Sequence, residues 1–375
     1  MTKKRKPFDP RYPINRRSFL MSLCATGLAA RPSGLAARSL DIRRSAEMIE
    51  NLFDRYFFDP TWIATTEAHA LFADLALLAD VASDPEAFCR DFGKRFESIG
   101  LSHVGLSVQS RSAVQLGRHF DTMAVGHGAV DLEWHGTVAS LSIRTFMGVD
   151  TGPRITAAFE DITWNGATGL ILDLRDNPGG SFAMRHLMGH CISDDTDAGV
   201  LLGRTWYAEN AHVPDRAHTG ALRPWRGSSL VGLWRHLAEQ PVTRVQFEPM
   251  QPTYGGPIAI LINRDTASAA EMVAEVLQHT RRAVLIGERS AGAMLVQQLF
   301  DVGDLFTLSL PVADYVSHGN GRIEGLGLVP DITACAGDVH AVALTHLSWS
   351  APTFEDLPNP TGRATPMDVC ARPIP

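Results

Sequence analysis

Ser268 lies at a predicted strand-to-helix junction, where a serine hydroxyl could act as a nucleophile. The apolar run Pro257–Asn263 predicts a buried strand, and a helix is predicted from about Ser268 to His279. At such a junction the hydroxyl leaves the sheet beside N–H groups that lack helical partners, at the positive end of the helix. Those N–H groups suit an oxyanion, as in serine hydrolases. Ser268 and Glu271 also form a Ser-x-x-Glu capping box, which starts many helices without any catalytic role.

A second segment combines a buried strand with paired glycines. The strand Gly169–Arg175 is almost continuously apolar and runs into Asn-Pro-Gly-Gly, which ends at Gly179 and Gly180. Consecutive glycines let the backbone approach a ligand closely and direct N–H groups toward it. The alternative is an ordinary tight turn. Two further glycine-containing segments follow, Gly287–Ala293 after an apolar strand and Ile323–Asp331 near the end.

In this order and at this spacing, the four segments resemble the C-terminal processing peptidases, also called tail-specific proteases. That family includes the core of tricorn protease and the repeats of interphotoreceptor retinoid-binding protein. The resemblance covers roughly residues 98–345. Its most specific parts are Leu-Asp-Leu-Arg-x-Asn-Pro-Gly-Gly, Thr-Ala-Ser-Ala-Ala-Glu and Gly-Leu-Gly-Leu-Val-Pro-Asp. It implies an α/β (α+β) fold like that of ClpP and the crotonases, with a mixed sheet and flanking helices.

The resemblance also implies roles for single residues. Ser268 matches the nucleophile, and the backbone N–H groups of Ala269 and of Gly179 or Gly180 match the oxyanion hole. The processing-protease branch of the family takes its base from a lysine, and Ala293 occupies that position here. The sequence therefore departs from the Ser–Lys pattern at the position that defines it.

The whole chain contains only four lysines, so each of them can be considered in turn as the base of a Ser–Lys dyad. Three of them, Lys3, Lys4 and Lys6, lie in the predicted export signal, and Lys94 lies in a predicted helical cap. A Ser–Lys dyad is therefore excluded as an interpretation. The tricorn branch instead uses serine, histidine, a nucleophilic serine and glutamate.

Three residues match the rest of the tricorn set. Ser102 and His103 precede a predicted strand, and Glu324 precedes the Gly-Leu-Val-Pro-Asp turn. A neutral imidazole can accept the proton of Ser268 and pass it to the leaving amine. Glu324, acting through the Ser102 hydroxyl, would orient that imidazole. Neighbouring residues on a strand point to opposite faces, so this arrangement requires a bend at Ser102 and His103.

Residues 1–37 are predicted to be a twin-arginine export signal. Arg16 and Arg17 precede Ser-Phe-Leu and a short apolar run that ends in small residues. The run is shorter than the roughly 20 residues of a membrane span. The predicted location is periplasmic or secreted, with membrane contact only through an uncleaved signal. The alternative is a basic, unstructured N-terminus, and the cleavage point stays open.

The residue patterns divide the rest of the chain into three predicted zones. Residues 38–101 show helical periodicity and are predicted to form an N-terminal helical cap. Residues 102–350 are predicted to form the peptidase core, with an irregular insertion at about 194–256 that is rich in Trp, Pro and Gly. Residues 351–375 are predicted to be a tail. The interval from Ser107 to Glu133 is too short for the PDZ domain that processing proteases usually carry there.

Composition limits the partners. The 375 residues carry a net charge of −7, and without residues 1–36 the chain holds 26 basic and 40 acidic residues. Such an acidic surface argues against nucleic acid as a partner. Four cysteines remain, with no zinc spacing and no assignable pairing: Cys89, Cys191, Cys335 and Cys370. No metal or organic cofactor is expected.

Several aromatic residues have two interpretations. His186 and His190 lie one helical turn apart, and a helix surface is favoured over a metal site because no third ligand is evident. Trp206, Trp225 and Trp234 could line a substrate groove or could pack in a core.

The sequence thus predicts a serine peptidase that acts on peptide or protein substrates. A binding protein without catalysis, or a hydrolase of non-peptide acyl substrates on the same fold, is the alternative. The substrate sequence, endo- or exo-cleavage and the oligomeric state are not determined by the sequence.

Overall fold

The computed structural model describes the backbone of residues 35–210, 212–349 and 367–368, and side chains from 41 to 348 except 211. The predicted signal peptide therefore lies outside the described residues except for its last three positions. The predicted tail is described only at 367–368. None of the helices in this part of the chain is both long and apolar enough to cross a membrane.

The helices alternate with strands after a helical beginning, as the sequence patterns predict. Within the described residues they are α1 (Leu35–Tyr56), α2 (Pro60–Ile63), α3 (Thr66–Val81), α4 (Pro85–Glu97), α5 (Ala113–Thr122), α6 (Thr151–Trp164), α7 (Met184–Cys191), α8 (Arg204–Glu209), α9 (Arg216–Ala221), α10 (Leu230–Glu239), α11 (Ala269–His279) and α12 (Val339–Trp349).

The strands form two sheets. They are β1 (Gly105–Val108), β2 (Val130–His135), β3 (Val138–Ile143), β4 (Gly169–Asp173), β5 (Thr196–Gly203), β6 (Val242–Phe247), β7 (Ile258–Ile262), β8 (Ala283–Gly287), β9 (Leu295–Val302), β10 (Phe306–Ser317), β11 (Gly321–Arg322), β12 (Ile332–Thr333) and β13 (Met367–Asp368). One sheet has the order β13-β12-β8-β7-β4-β3-β2. The other has the order β1-β10-β5-β6, and β9 and β11 also pair with β10.

The seven-stranded sheet is parallel from β3 to β13, and only β2 runs antiparallel. Every residue of β4 and β7 is buried because helices cover both faces. α6, α7 and α11 pack on one face, and α12 packs on the other. The carboxyl ends of the neighbouring parallel strands β4 and β7 meet at one edge, which is where ligands bind in such sheets. The glycine turn and Ser268 therefore reach the same edge.

The second sheet is antiparallel and carries the N-terminal helices. Phe53, Phe88 and Phe92 of these helices share one apolar core with Phe306 and Leu308 of β10. The prediction of helices in this zone is confirmed. Asp84 caps α4, because its carboxylate accepts the N–H of Ala87 at 2.7 Å.

The segment 194–256 is not irregular, and that prediction was wrong. It supplies β5, which pairs with both β10 and β6, so it contributes to the middle of the second sheet. Its strand core, Ala198–Leu202, is buried. The Trp, Pro and Gly content belongs to the connections around α8, α9 and α10, and averaging over the whole segment hides two short strands.

Between β1 and β2 the chain forms α5 and one turn of 3-10 helix, His127–Ala129. This fully described interval contains no PDZ domain, as its length predicts. The mixed α/β fold that the sequence predicts is confirmed.

Candidate active site

Ser268 occupies a strained turn between β7 and α11. Its backbone has φ 55° and ψ −123°, a conformation that residues other than glycine seldom adopt and that costs on the order of 1–3 kcal/mol. The Ser268 N–H donates to the Glu271 carboxylate at 3.0 Å. The helix itself begins at Ala269. A strained serine at the head of a helix is the geometry of a nucleophile elbow.

The glycine turn after β4 packs directly against Ser268. Gly179 has φ 92°, and a Cβ there would lie 2.7 Å from the Cβ of Ser268. Gly180 has φ 143°, and a Cβ there would lie 2.4 Å from the backbone nitrogen of Met147. Both positions therefore require glycine, for conformation and for space.

The two glycine N–H groups differ in what they can do. The Gly179 N–H donates to Asn177 Oδ1 at 2.8 Å, so it is occupied. The buried Asn177 side chain also donates to Ile143 O at 2.9 Å. The N–H groups of Gly180 and Ala269 have no acceptor among residues 41–210 and 212–348. Of the alternatives that the sequence left open, Gly180 is the one with a free donor.

The Ser102–His103 pair lies in the turn that enters β1. His103 has φ 60°, which supplies the bend that the sequence argument required. The bend brings Ser102 Oγ to 2.8 Å from His103 Nδ1. The Ser309 hydroxyl donates to the His103 carbonyl at 2.9 Å and so anchors the bent backbone.

Glu324 accepts two hydrogen bonds from Ser102. The Ser102 hydroxyl donates to Glu324 Oε2 at 2.9 Å, and the Ser102 N–H donates to Oε1 at 3.0 Å. The backbone N–H groups of Met294 and Leu295 also donate to Oε2, at 2.6 and 3.3 Å. Glu324 is 5% exposed, and its burial raises the pKa of its carboxyl, against the lowering effect of these donors.

These contacts determine the tautomer of His103. A serine hydroxyl has one hydrogen, and Ser102 gives it to Glu324. Ser102 Oγ must then accept from the imidazole, so His103 Nδ1 carries the proton and Nε2 keeps its lone pair. Enclosure by protein atoms lowers the pKa of His103 to about 4, although part of its surface still reaches solvent. The imidazole is therefore neutral at pH 7, in the tautomer of a general base.

No hydrogen bond joins His103 to Ser268 in this structure. The two are connected instead through Glu324, the backbone of residues 292–295 and Glu271. Catalytic hydrogen bonds are often long before substrate binds and tighten in the complex. The structure thus brings Ser102, His103 and Glu324 together, and separately brings Ser268 together with Gly179, Gly180 and Ala269.

Glu271 is a site residue that the sequence treated only as a helix cap. It is fully buried, and it accepts the Ser290 hydroxyl at 2.6 Å and the N–H groups of Gly292 and Ala293 at 2.7 and 2.9 Å, besides that of Ser268. Burial raises the pKa of its carboxyl, and these four hydrogen bonds oppose that change. The apolar residues on all sides of Glu271 along α11 were the signal that it would be buried.

Lys94 and His190, two other candidates, make contacts that do not involve the candidate active site. Lys94 is exposed and pairs with Asp91 at 2.8 Å, so it cannot serve as a base. The prediction that His190 lies on a helix surface is wrong. This histidine is buried, stacks on Phe159 and bonds to Pro252 O and Thr156. The prediction failed because α7 is covered by α6 and α11 as well as by the sheet.

The structure also gives the state of Trp234 and of three of the four cysteines outside the predicted signal. Trp234 is buried and donates to Gln297 O at 2.9 Å, which favours the packing interpretation for that residue. Cys89 and Cys191 are buried free thiols, and Cys335 is disulfide-bonded. Cys370 lies outside the described residues. No group of three or more His, Cys, Asp or Glu side chains is placed to hold a metal in the described part of the chain.

Comparisons of the chain with known proteins identify a family. The profile of Peptidase family S41 matches residues 137–334, a range that contains Gly180, Ser268 and Glu324 and begins after His103. A carboxyl-terminal-processing protease from Picosynechococcus sp. is 27% identical over 248 residues, which are 66% of this chain and 51% of that protein. The chain thus spans about half the length of that relative.

Two solved structures share the fold at low identity. A lipoprotein from Streptococcus agalactiae has a TM-score of 0.52 at 16% identity, over 86% of this chain and 98% of that one. Mature CPAF has a TM-score of 0.54 at 14% identity, over 83% of this chain and 96% of that one.

Proposed function

Because this chain belongs to peptidase family S41, we propose that it is a serine peptidase that hydrolyses peptide bonds through an acyl-enzyme on Ser268. His103 is the general base, and Ser102 and Glu324 orient it. The N–H groups of Gly180 and Ala269 form the oxyanion hole.

The reaction follows from the roles of these groups. Ser268 Oγ attacks the carbonyl carbon of the scissile bond while His103 Nε2 takes its proton. The carbonyl oxygen becomes negative and accepts hydrogen bonds from the two N–H groups, each worth about 3 kcal/mol of barrier. The C–N bond then breaks, and the imidazolium returns its proton to the leaving amine. Water, activated by the same imidazole, hydrolyses the acyl-enzyme.

One observation carries the proposal. The relay from Glu324 through Ser102 to His103 leaves Nε2 unprotonated, and the imidazole rather than a lysine is the available base. A merely structural histidine has no need of a buried carboxylate that fixes its tautomer through a hydroxyl. The strain at Ser268 supports the same assignment, as do the N–H groups of Gly180 and Ala269, which have no acceptor in the part of the chain that the structure describes.

We propose that the substrates are peptides or proteins and that the twin-arginine pattern directs the chain to the periplasm or the exterior. Substitution of Arg16 and Arg17 by lysine should leave the protein in the cytoplasmic fraction, as detected by cell fractionation. Unchanged export of that variant would contradict the signal.

The activity itself is tested with a fluorophosphonate probe and a mixture of unstructured peptides. We expect the probe to label the wild type at Ser268, and the Ser268→Ala variant to lose both labelling and peptide cleavage. His69→Ala, at an exposed histidine, is the matched control and should behave as the wild type. Absence of labelling in the wild type would favour a binding protein, and cleavage of small esters without any peptide cleavage would favour a different acyl hydrolase.

A further inference from the structure

Four consecutive backbone N–H groups between the two halves of the site are held by two buried carboxylates. Glu271 accepts those of Gly292 and Ala293. Glu324 accepts those of Met294 and Leu295. We call Gly292–Leu295 the clasped segment. It links the turn that carries Ser268 to the acid that orients the base.

One end of this connection reaches Ser268 by a single hydrogen bond, and the other end reaches His103 through Ser102. The same Glu271 oxygen that accepts Ala293 also accepts the N–H of Ser268 at 3.0 Å. The same Glu324 oxygen that accepts Met294 also accepts the hydroxyl of Ser102 at 2.9 Å. Four residues of extended chain span roughly 13 Å at most. A segment this short, bonded at every N–H, holds the two carboxylates at a fixed separation.

The clasped segment is also held on its other side. A Cβ on Gly292, which has φ 68°, would lie 2.6 Å from the backbone nitrogen of Gly327, so Gly292 packs against the loop that follows Glu324. The Gly325 N–H donates to the Gly292 carbonyl at 2.8 Å. Both carboxylates therefore contact one short segment that has no room to shift independently of either.

We propose that Glu271 is a positioning residue that sets Ser268 at the correct distance from the His103 relay through the clasped segment. This inference rests on the proposed peptidase function. Glu271 does not touch the substrate or exchange a proton. Its hydrogen bonds to Ser268 and to the clasped segment fix the position of Ser268. The hydrogen bond between Ser268 and His103, which is absent from this structure, forms only if the two carboxylates keep their spacing.

Only a carboxylate can make these contacts at this position. Oε1 accepts Ser290 Oγ and Gly292, and Oε2 accepts Ala293 and Ser268, so both oxygens act purely as acceptors. A glutamine of the same shape presents an NH₂ to one of the two pairs of donors. One pair therefore loses its acceptor whichever way the amide is turned.

Glu275 provides a matched control one helical turn further along α11. It is 1% exposed, its Oε1 accepts the Ser317 hydroxyl, and its Oε2 has no partner among the described residues. Burial raises the pKa of Glu275 to about 7, so an amide resembles its protonated form. Glu275→Gln replaces a buried carboxyl on the same helix by an amide without touching the clasped segment.

The test is a double-mutant cycle of Glu271→Gln with Ser102→Ala, measured on the full chain. We expect Glu271→Gln to lower kcat about 100-fold with KM changed less than about threefold, because substrate contacts stay intact. In the Ser102→Ala background the same change should cost less than about tenfold, since the relay is already disconnected. Glu275→Gln should keep kcat within about threefold of the wild type.

Equal costs of Glu271→Gln in both backgrounds, or a loss no greater than that of Glu275→Gln, would overturn the proposal. If Glu271→Gln does not fold, Ser290→Ala takes its place in the cycle under the same criteria, because it removes one donor to Glu271 together with the acceptor of the Leu328 N–H. A wild type that neither labels at Ser268 nor cleaves peptides refutes the proposed function instead. Hydrogen exchange then tests the segment alone: faster exchange of its four amides in Glu271→Gln than in Glu275→Gln supports the clasp, and equal exchange refutes it.

Discussion

The two halves of the proposed active site are held in place by different kinds of contact. On the nucleophile side, Ser268 and Gly180 lie in the turns that follow β7 and β4, and the buried backbone of those turns fixes their positions. On the base side, Ser102 and His103 lie in a turn that stays partly exposed to solvent, and side-chain hydrogen bonds hold them to Glu324. Substitutions on the first side should therefore harm folding and chemistry together, whereas those on the second should harm chemistry with little effect on folding.

The largest expected effect comes from the base. His103→Ala removes the proposed general base, and we expect kcat/KM to fall by at least about 10⁴-fold, as loss of the catalytic histidine does in known serine proteases. The thermal midpoint should change by less than a few degrees, because no core contact is lost. Peptide hydrolysis and a melting curve of the same preparation measure the two quantities. A large drop in the melting temperature would break the distinction between the two sides.

Gly180→Ala tests the opposite side. Its Cβ would meet the backbone of Phe146 and Met147 at 2.5 and 2.4 Å, and overpacking of this kind costs about 1–3 kcal/mol before any backbone strain. We expect at least about a 100-fold loss of kcat/KM, because the oxyanion donor moves, together with a lower unfolding midpoint in urea.

Gly93→Ala is the matched control for that substitution. Gly93 lies inside α4 with open space at its Cβ position, and alanine is the better helix former. This variant should be at least as stable as the wild type and fully active. Loss of activity in Gly180→Ala without any loss of stability would contradict the view that backbone packing holds this half.

Ser102→Ala should have a smaller effect on activity and only a small effect on stability. Without the hydroxyl, His103 Nδ1 loses its acceptor and Glu324 loses one of its four donors. We expect kcat/KM to fall about 10- to 100-fold, with the free energy of unfolding lowered by about 1 kcal/mol. Ser107→Ala on β1, a partly exposed serine, is the control and should change neither. Activity within twofold of the wild type would show that the relay is dispensable.

The pH profile gives the smallest effect and sharpens the base side. Because the pKa of His103 is lowered to about 4, the imidazole stays neutral as pH falls from 7. The acidic limb of kcat/KM should therefore lie below pH 6.5 and fall about tenfold per unit below its midpoint. The midpoint belongs to His103 and Glu324 together, because the two titrate through Ser102. A midpoint at or above pH 7 would contradict the depressed pKa.

The folded state also binds fewer protons at His103 than the unfolded chain does between about pH 4 and the ordinary pKa of 6.5. The contribution of this residue to stability is therefore complete above pH 6.5 and is lost as pH falls through the folded pKa. His103→Ala should flatten the dependence of the unfolding free energy on pH in that window, as urea titrations at several pH values would measure.

Local sequence was sufficient for the nucleophile half. A buried apolar strand followed by Thr-Ala-Ser-Ala-Ala-Glu, and another followed by Asn-Pro-Gly-Gly, indicate their turns from a dozen residues each, because parallel neighbours end at one edge. The same local reasoning failed at 194–256. There the pairing partner of β5 is β10, more than a hundred residues away, and composition carries no information about that pairing.

The sequence by itself determined which residue types were available: a serine at a helix head, paired glycines, and a histidine base in a chain whose four lysines are unsuited to that role. Only the tertiary structure decided which N–H of the glycine turn is free, since Ile143, 34 residues away from Asn177, accepts from the Asn177 amide whose oxygen accepts the Gly179 N–H. It also decided that Ser102 meets Glu324 across 222 residues and that Glu271 is a clasp as well as a cap. Hydrogen bonds require atoms to come within about 3 Å of each other, and for distant residues only the packed chain sets that distance.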